Sequence, residues 1–174
     1  MLALVSTIAL AQASTLPASL ADFDRFCSRL DNAPAIEARL ENAGWHRFEV
    51  DGSTEVGRLV AAINQVPSPA YRISTHVFRA KDGPVILVSQ MTAPDGGGSI
   101  ECKHIDEGGN LPETATLQTW AGSKPKVEKK DGTTLWVWKP GRGGASFTAV
   151  YFVAPTKKHS WPGVGVITTS VRMY

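Results

Sequence analysis

The residue types best suited to chemistry gather near the middle of the chain, where Glu101, Cys102, His104 and Asp106 fall in one short stretch. Read as a strand, alternation sets Cys102, His104 and Asp106 on one face. A thiolate, an imidazole and a carboxylate arranged this way are ligand types for zinc or copper. The metal reading needs Cys102 as a free thiolate. Without that sulfur, His104 and Asp106 have no visible third ligand, and no metal is expected. The remaining histidines are His46, His76 and His159. Of these, His76 could act as a general base for hydrolysis, with Asp82 or Glu101 as its orienting carboxylate. No Gly-x-Ser-x-Gly elbow accompanies it. Ser146 follows Gly143, Gly144 and Ala145 at an expected hairpin, where glycine serves turn geometry. These patterns assign no catalytic residue and no cofactor.

Two further groups suggest binding. The loop over 139–144 offers glycine amides and Arg142 to a phosphate or carboxylate. It lacks the Gly-Lys-Ser/Thr ending of a phosphate loop and does not lead into a helix, so a plain hairpin with a solvated arginine fits it too. Trp136 and Trp138 share one face of an expected strand while Leu135 and Val137 share the other, and Tyr151 and Phe152 repeat the pattern. Such a strand is either covered on both faces or displays an aromatic surface. Trp161, in the loop over 157–162, would rim a groove or cover a sheet edge. Trp136, Trp138, Tyr151 and Arg142 are therefore the candidate ligand-binding residues.

The elements that must position these residues follow from hydrophobic period. Residues 19–30 carry Leu20, Phe23, Phe26, Cys27 and Leu30 on one helical face. A second helix starts after Asn32 with Pro34 in its first turn and ends at Gly44. A third runs over 54–65, with Ser53 or Thr54 as cap and Val56, Leu59, Val60 and Ile63 on one face. Alternation then predicts strands over 71–80, 85–91 and 99–105, a helix over 112–121, and strands over 133–139, 145–153 and 164–173. Residues 45–50 read as a connector or short strand, and the charged stretch 124–131 as a solvated loop. The expected fold class is α+β: an antiparallel sheet of about six strands, covered by helices on one face, after an N-terminal helical pair. Residues 53–106 and 111–173 share an α-β-β-β order, which suggests two repeated halves.

Composition and address bound the function. The apolar run over 2–10, followed by Ala11-Gln12-Ala13, reads as a cleavable export signal, although no Lys or Arg precedes it. The true start would then lie upstream, or the signal is atypical. Removing 1–13 leaves one ordinary domain, expected in the periplasm or secreted, with no transmembrane anchor. Outside the reducing cytoplasm, the only two cysteines, Cys27 and Cys102, are expected to pair. The formal net charge of +2 is too small to point to nucleic acid, and the Lys124, Lys126, Lys129 and Lys130 cluster is interrupted by Glu128 and Asp131. With 43% apolar residues the chain can build a core. The leading expectation is a noncatalytic exported domain that binds an apolar small molecule, a peptide or an envelope protein through an aromatic sheet face. The alternative is a small hydrolase or metal-dependent enzyme using His104 and Asp106, or His76.

Overall fold

A computed structural model describes residues 17–65, 70–81, 83–154 and 165–174. The expected export signal over 1–13, Asp82, His159 and Trp161 lie outside the described residues. Helix α1 (Ala18–Cys27) buries Leu20, Phe23, Phe26 and Cys27 along one stripe. Helix α2 (Ala33–Asn42) begins where the Asn32 side chain accepts the Ala35 N–H at 2.9 Å, with Pro34 in its first turn. After the two-residue strand β1 (His46–Arg47), helix α3 (Glu55–Asn64) is capped by Thr54, whose Oγ1 accepts the Gly57 N–H at 3.0 Å. Strands β2 (Arg72–Arg79), β3 (Val85–Thr92) and β4 (Gly98–Asp106) follow. Helix α4 (Thr114–Ala121) stops at Gly122, whose φ of 72° suits a residue without a Cβ. The chain closes with β5 (Lys126–Lys130), β6 (Thr133–Trp138), β7 (Phe147–Val153) and β8 (Gly165–Met173).

The strands form one antiparallel sheet in the order β1-β2-β3-β4-β8-β7-β6-β5. The α+β class holds, with eight strands among the described residues where about six are expected. The additions are β1, too short to show a period, and β5, whose five side chains are all exposed. A strand with neither face buried has no alternating pattern to read. As an edge it gains from charge, which discourages pairing with other chains.

Three helices cover one face. Leu20, Phe23 and Phe26 of α1, Ile36 and Leu40 of α2, and Leu117 and Trp120 of α4 pack with Phe78, Ile86, Val88, Trp136 and Val150 of the sheet. Helix α3 departs from the one-face expectation. Its Val56 and Leu59 join Val77, Val85, Leu87, Ile105 and Ile167 on the opposite face. The cause is visible in β3, where Val85 through Ser89 are all buried, so both faces need a covering layer. Strand order is symmetric about the β4–β8 junction, but the counterpart of α4 across it is α2. Both precede four consecutive strands and both lie on the same face, whereas α3 is inserted between β1 and β2. None of the helices among the described residues is long and apolar enough to cross a membrane.

Cys27 and Cys102 stand at disulfide distance, with sulfurs 1.98 Å and Cα atoms 5.3 Å apart, joining α1 to the central strand β4. The bond closes a loop with a sequence separation of 75. On the chain-entropy account such a closure stabilises by about 4 kcal/mol. A Cys27→Ala/Cys102→Ala variant should lose about that much in urea unfolding, and a loss below about 1 kcal/mol would show that the bond constrains little.

Candidate active site

On β2, alternation places Ser74, His76 and Phe78 on the face that α2 covers. Phe78 enters the core beside Ile36 and Leu40. Glu37 follows Ile36 on α2 and so lies at the flank of that buried stripe, aimed at the strand. Its Oε1 stands 2.6 Å from Nδ1 of His76, and Nε2 of the same ring stands 3.1 Å from Oγ of Ser74. The carboxylate can only accept, so it fixes a proton on Nδ1, and in the neutral ring Nε2 is then an acceptor for the Ser74 hydroxyl. The His76 and Glu37 side chains are 26% and 19% exposed, and Ser74 is exposed. Between them, Thr75 is anchored on the opposite face by bonds to Asn64 Oδ1 at 2.8 Å and Ser89 Oγ at 3.1 Å. Thr75 and His76 also line a cleft of about 620 Å³, whose apolar wall is Phe48, Val50 and Val60.

His76 is thus paired with a carboxylate, although not one of those expected. Glu101 lies on the other sheet face, where it pairs with Lys103 and accepts from Thr169 Oγ1 at 3.1 Å. Neither Glu37 nor Ser74 stood out in the sequence. For Ser74 a signal existed, because it shares a strand face with His76 two residues on. Glu37 lies 39 positions from His76, and only helix–strand packing unites them.

The other candidates are engaged elsewhere. Trp136 and Trp138 are 2% and 4% exposed beneath α4, not an open aromatic face. Their indole N–H groups donate to Thr114 Oγ1 and to the Ser123 carbonyl, both at 3.0 Å. Trp138 also meets Trp120 edge-on with ring centroids 5.8 Å apart. Tyr151 is half-buried on the opposite face beside the α3 cluster, and burial together with the Glu101 charge pushes its hydroxyl pKa up. Arg142 is committed inside the molecule. Its Nε and Nη2 bond both oxygens of Asp24 at 3.1 and 2.9 Å, Nη1 donates to the Trp120 carbonyl, and the guanidinium lies 4.6 Å from the Trp120 ring centroid. A second cleft, of about 750 Å³, passes Val137, the rim of Trp138, Pro140, Lys124, Lys126 and Lys139.

Cys102 gives its sulfur to Cys27, and among the described residues no group of three or more His, Cys, Asp or Glu could hold a metal ion. His46 is exposed on β1. His104 instead sits in the core at 1% exposure, opposite Thr168 of β8, flanked in the same row by Ile86 and Val150. Both ring nitrogens and Thr168 Oγ1 are buried without a hydrogen-bond partner among the described residues. Compared with protein-family models, curated proteins and solved structures, the chain matches none.

Burial lowers the His104 pKa from 6.5 to about 4. The folded chain keeps the ring neutral, while the unfolded chain takes up a proton more readily. Stability is therefore full above pH 6.5 and is lost as pH falls from there through about 4. The effect is worth about 3 kcal/mol. Urea unfolding should show the wild type weakening on acidification across this window. A His104→Leu variant should weaken much less and be no less stable at neutral pH, since it removes two unpaired buried nitrogens. Equal acid sensitivity in the two proteins would contradict this assignment.

Proposed function

We propose that the chain is an exported hydrolase working by nucleophilic acyl transfer, with Ser74 as nucleophile, His76 as general base and acid, and Glu37 as the group that orients the imidazole. The observation carrying this reading is the unbroken relay from Glu37 Oε1 through His76 to Ser74 Oγ, at 2.6 and 3.1 Å, in which His76 also lines a cleft. Ser74 Oγ attacks a substrate carbonyl carbon as His76 Nε2 takes the hydroxyl proton. The tetrahedral intermediate collapses, and the leaving group departs with that proton. Water, deprotonated by the same nitrogen, then attacks the acyl-serine ester and restores Ser74. Glu37 stays ionised throughout, stabilising the imidazolium and holding the ring in its tautomer. Export is supported by the cysteine pair at bonding distance, which suits an oxidising compartment, together with the small-x-small leader.

A noncatalytic reading retains one feature in its favour. The cleft along Val137, Trp138 and Pro140 carries Lys124 and Lys139, with Lys126 paired to Glu128 at 2.7 Å, a combination suited to an apolar ligand bearing an acid group.

The hydrolase reading predicts that a fluorophosphonate labels the wild type covalently, with the adduct mapped to Ser74 by mass spectrometry. Ser74→Ala should abolish labelling while leaving the circular dichroism spectrum unchanged. Glu37→Gln should slow both labelling and ester hydrolysis by about a hundredfold or more. An unlabelled wild type, or an adduct that survives Ser74→Ala, would refute the assignment.

A further inference from the structure

Strand β1 is only two residues long, and the chain leaves the sheet directly after the Phe48 N–H donates to the Val77 carbonyl at 3.0 Å. Helix α3 then intervenes before β2 begins. Along residues 72–76 the outer edge of β2 consequently has no neighbouring strand among the described residues. Antiparallel ladders turn the N–H and C=O of alternate residues to the same side. His46 pairs with Arg79, and Val77 receives Phe48, so the odd-numbered residues face outward. Ile73 and Thr75 thus present their backbone groups at the open edge, on either side of Ser74. The opposite edge of the sheet is defended by Lys126, Glu128, Lys129 and Lys130 on β5. Residues 73–76 of β2 carry no such charge barrier.

We infer that this edge takes the substrate as an extended peptide, which adds a strand outside β2. Only a peptide backbone offers donors and acceptors at the spacing that Ile73 and Thr75 display. In that register the Thr75 N–H donates to the scissile carbonyl oxygen and becomes the donor that stabilises the oxyanion, next to the Ser74 hydroxyl. The bond broken is then the peptide C–N bond, and the departing amine takes its proton from His76 Nε2. Alternate substrate side chains turn toward Phe48, Val50 and Val60, which favours an apolar residue at that position. The chemistry rests on the hydrolase reading of the same site, whereas the strand addition does not.

The test uses the whole chain carrying Ser74→Ala, which binds without cleaving. The probe is a dye-labelled peptide of alternating valine and serine, unmodified or N-methylated on all valines or on all serines. Pairing along the edge uses only every second amide. One methylated form should therefore lose at least about tenfold in affinity, while the other binds like the parent. Equal binding of all three forms, equal loss in both methylated forms, or no saturable binding of the parent would overturn the inference. So would a dimer in sedimentation that dissociates when the parent peptide binds, since the edge would then belong to a second copy. Frame-selective binding by the variant, together with a wild type that no fluorophosphonate labels, would sink the hydrolase reading alone. Labelling at Ser74 with frame-insensitive binding would sink the edge inference alone.

Discussion

Helix α1 is the element on which the other parts depend, and the Cys27–Cys102 bond is what holds it. That bond ties α1 to β4, the strand where the two four-stranded runs meet. From there α1 reaches both ends of the covered face. Asp24 receives the Arg142 guanidinium from the β6–β7 loop and the Trp120 indole N–H at 3.0 Å, and Phe23 meets Trp120 edge-on at 5.8 Å. These contacts seat α4 and, through it, Trp136 and Trp138. On the other side, α1 and α2 share the buried cluster of Phe26, Leu30, Ile36 and Leu40. Arg39 of α2 also bonds the Arg29 carbonyl at 2.6 Å, closing the turn between the helices. The position of α2, and hence of Glu37, is inherited from α1.

The candidate active site is a consequence of that inheritance. His76 alone is a strand residue with a partly exposed ring. In the proposed relay it becomes a directed base because α2 delivers a carboxylate to Nδ1, and because pleating sets Ser74 on the same face as Nε2. The side of β2 that carries the relay is rigid, since Phe78 is buried beneath α2 and Thr75 is anchored behind by Asn64 and Ser89. Beyond the two residues of β1, the outer edge has no neighbouring strand among the described residues. Rigidity behind and access in front are what a nucleophile needs to meet a substrate without rearrangement.

Much of this architecture was legible in the sequence. The stripes of α1, α2 and α3, the caps at Asn32 and Thr54, and the alternation of β2, β3 and β4 are local signals that the tertiary structure keeps. The cysteine pairing followed from there being no other thiol. Three features were not legible, each for a physical reason. The strand β5 has no buried face and so no period. The stripe on α3 shows that it buries one side but not which face of the sheet receives it. Trp136 and Trp138 were open to two readings, because a strand apolar on both faces does not reveal whether a helix lies above it. At the site, the sequence marked His76 by residue type alone. Its partner Glu37 is one acidic residue among several, distinguished only by the packing of α2 on β2.

The central claim is that Glu37 holds the His76 proton on Nδ1 and thereby frees Nε2 to act on Ser74. Nitrogen-15 NMR of the labelled imidazole tests this directly in the unmodified protein at neutral pH. The account predicts the Nδ1–H tautomer for the neutral ring, with a hydrogen-bonded Nδ1 proton far downfield that disappears in Glu37→Gln. A ring protonated on Nε2, or one whose signals do not respond to Glu37→Gln, would contradict it.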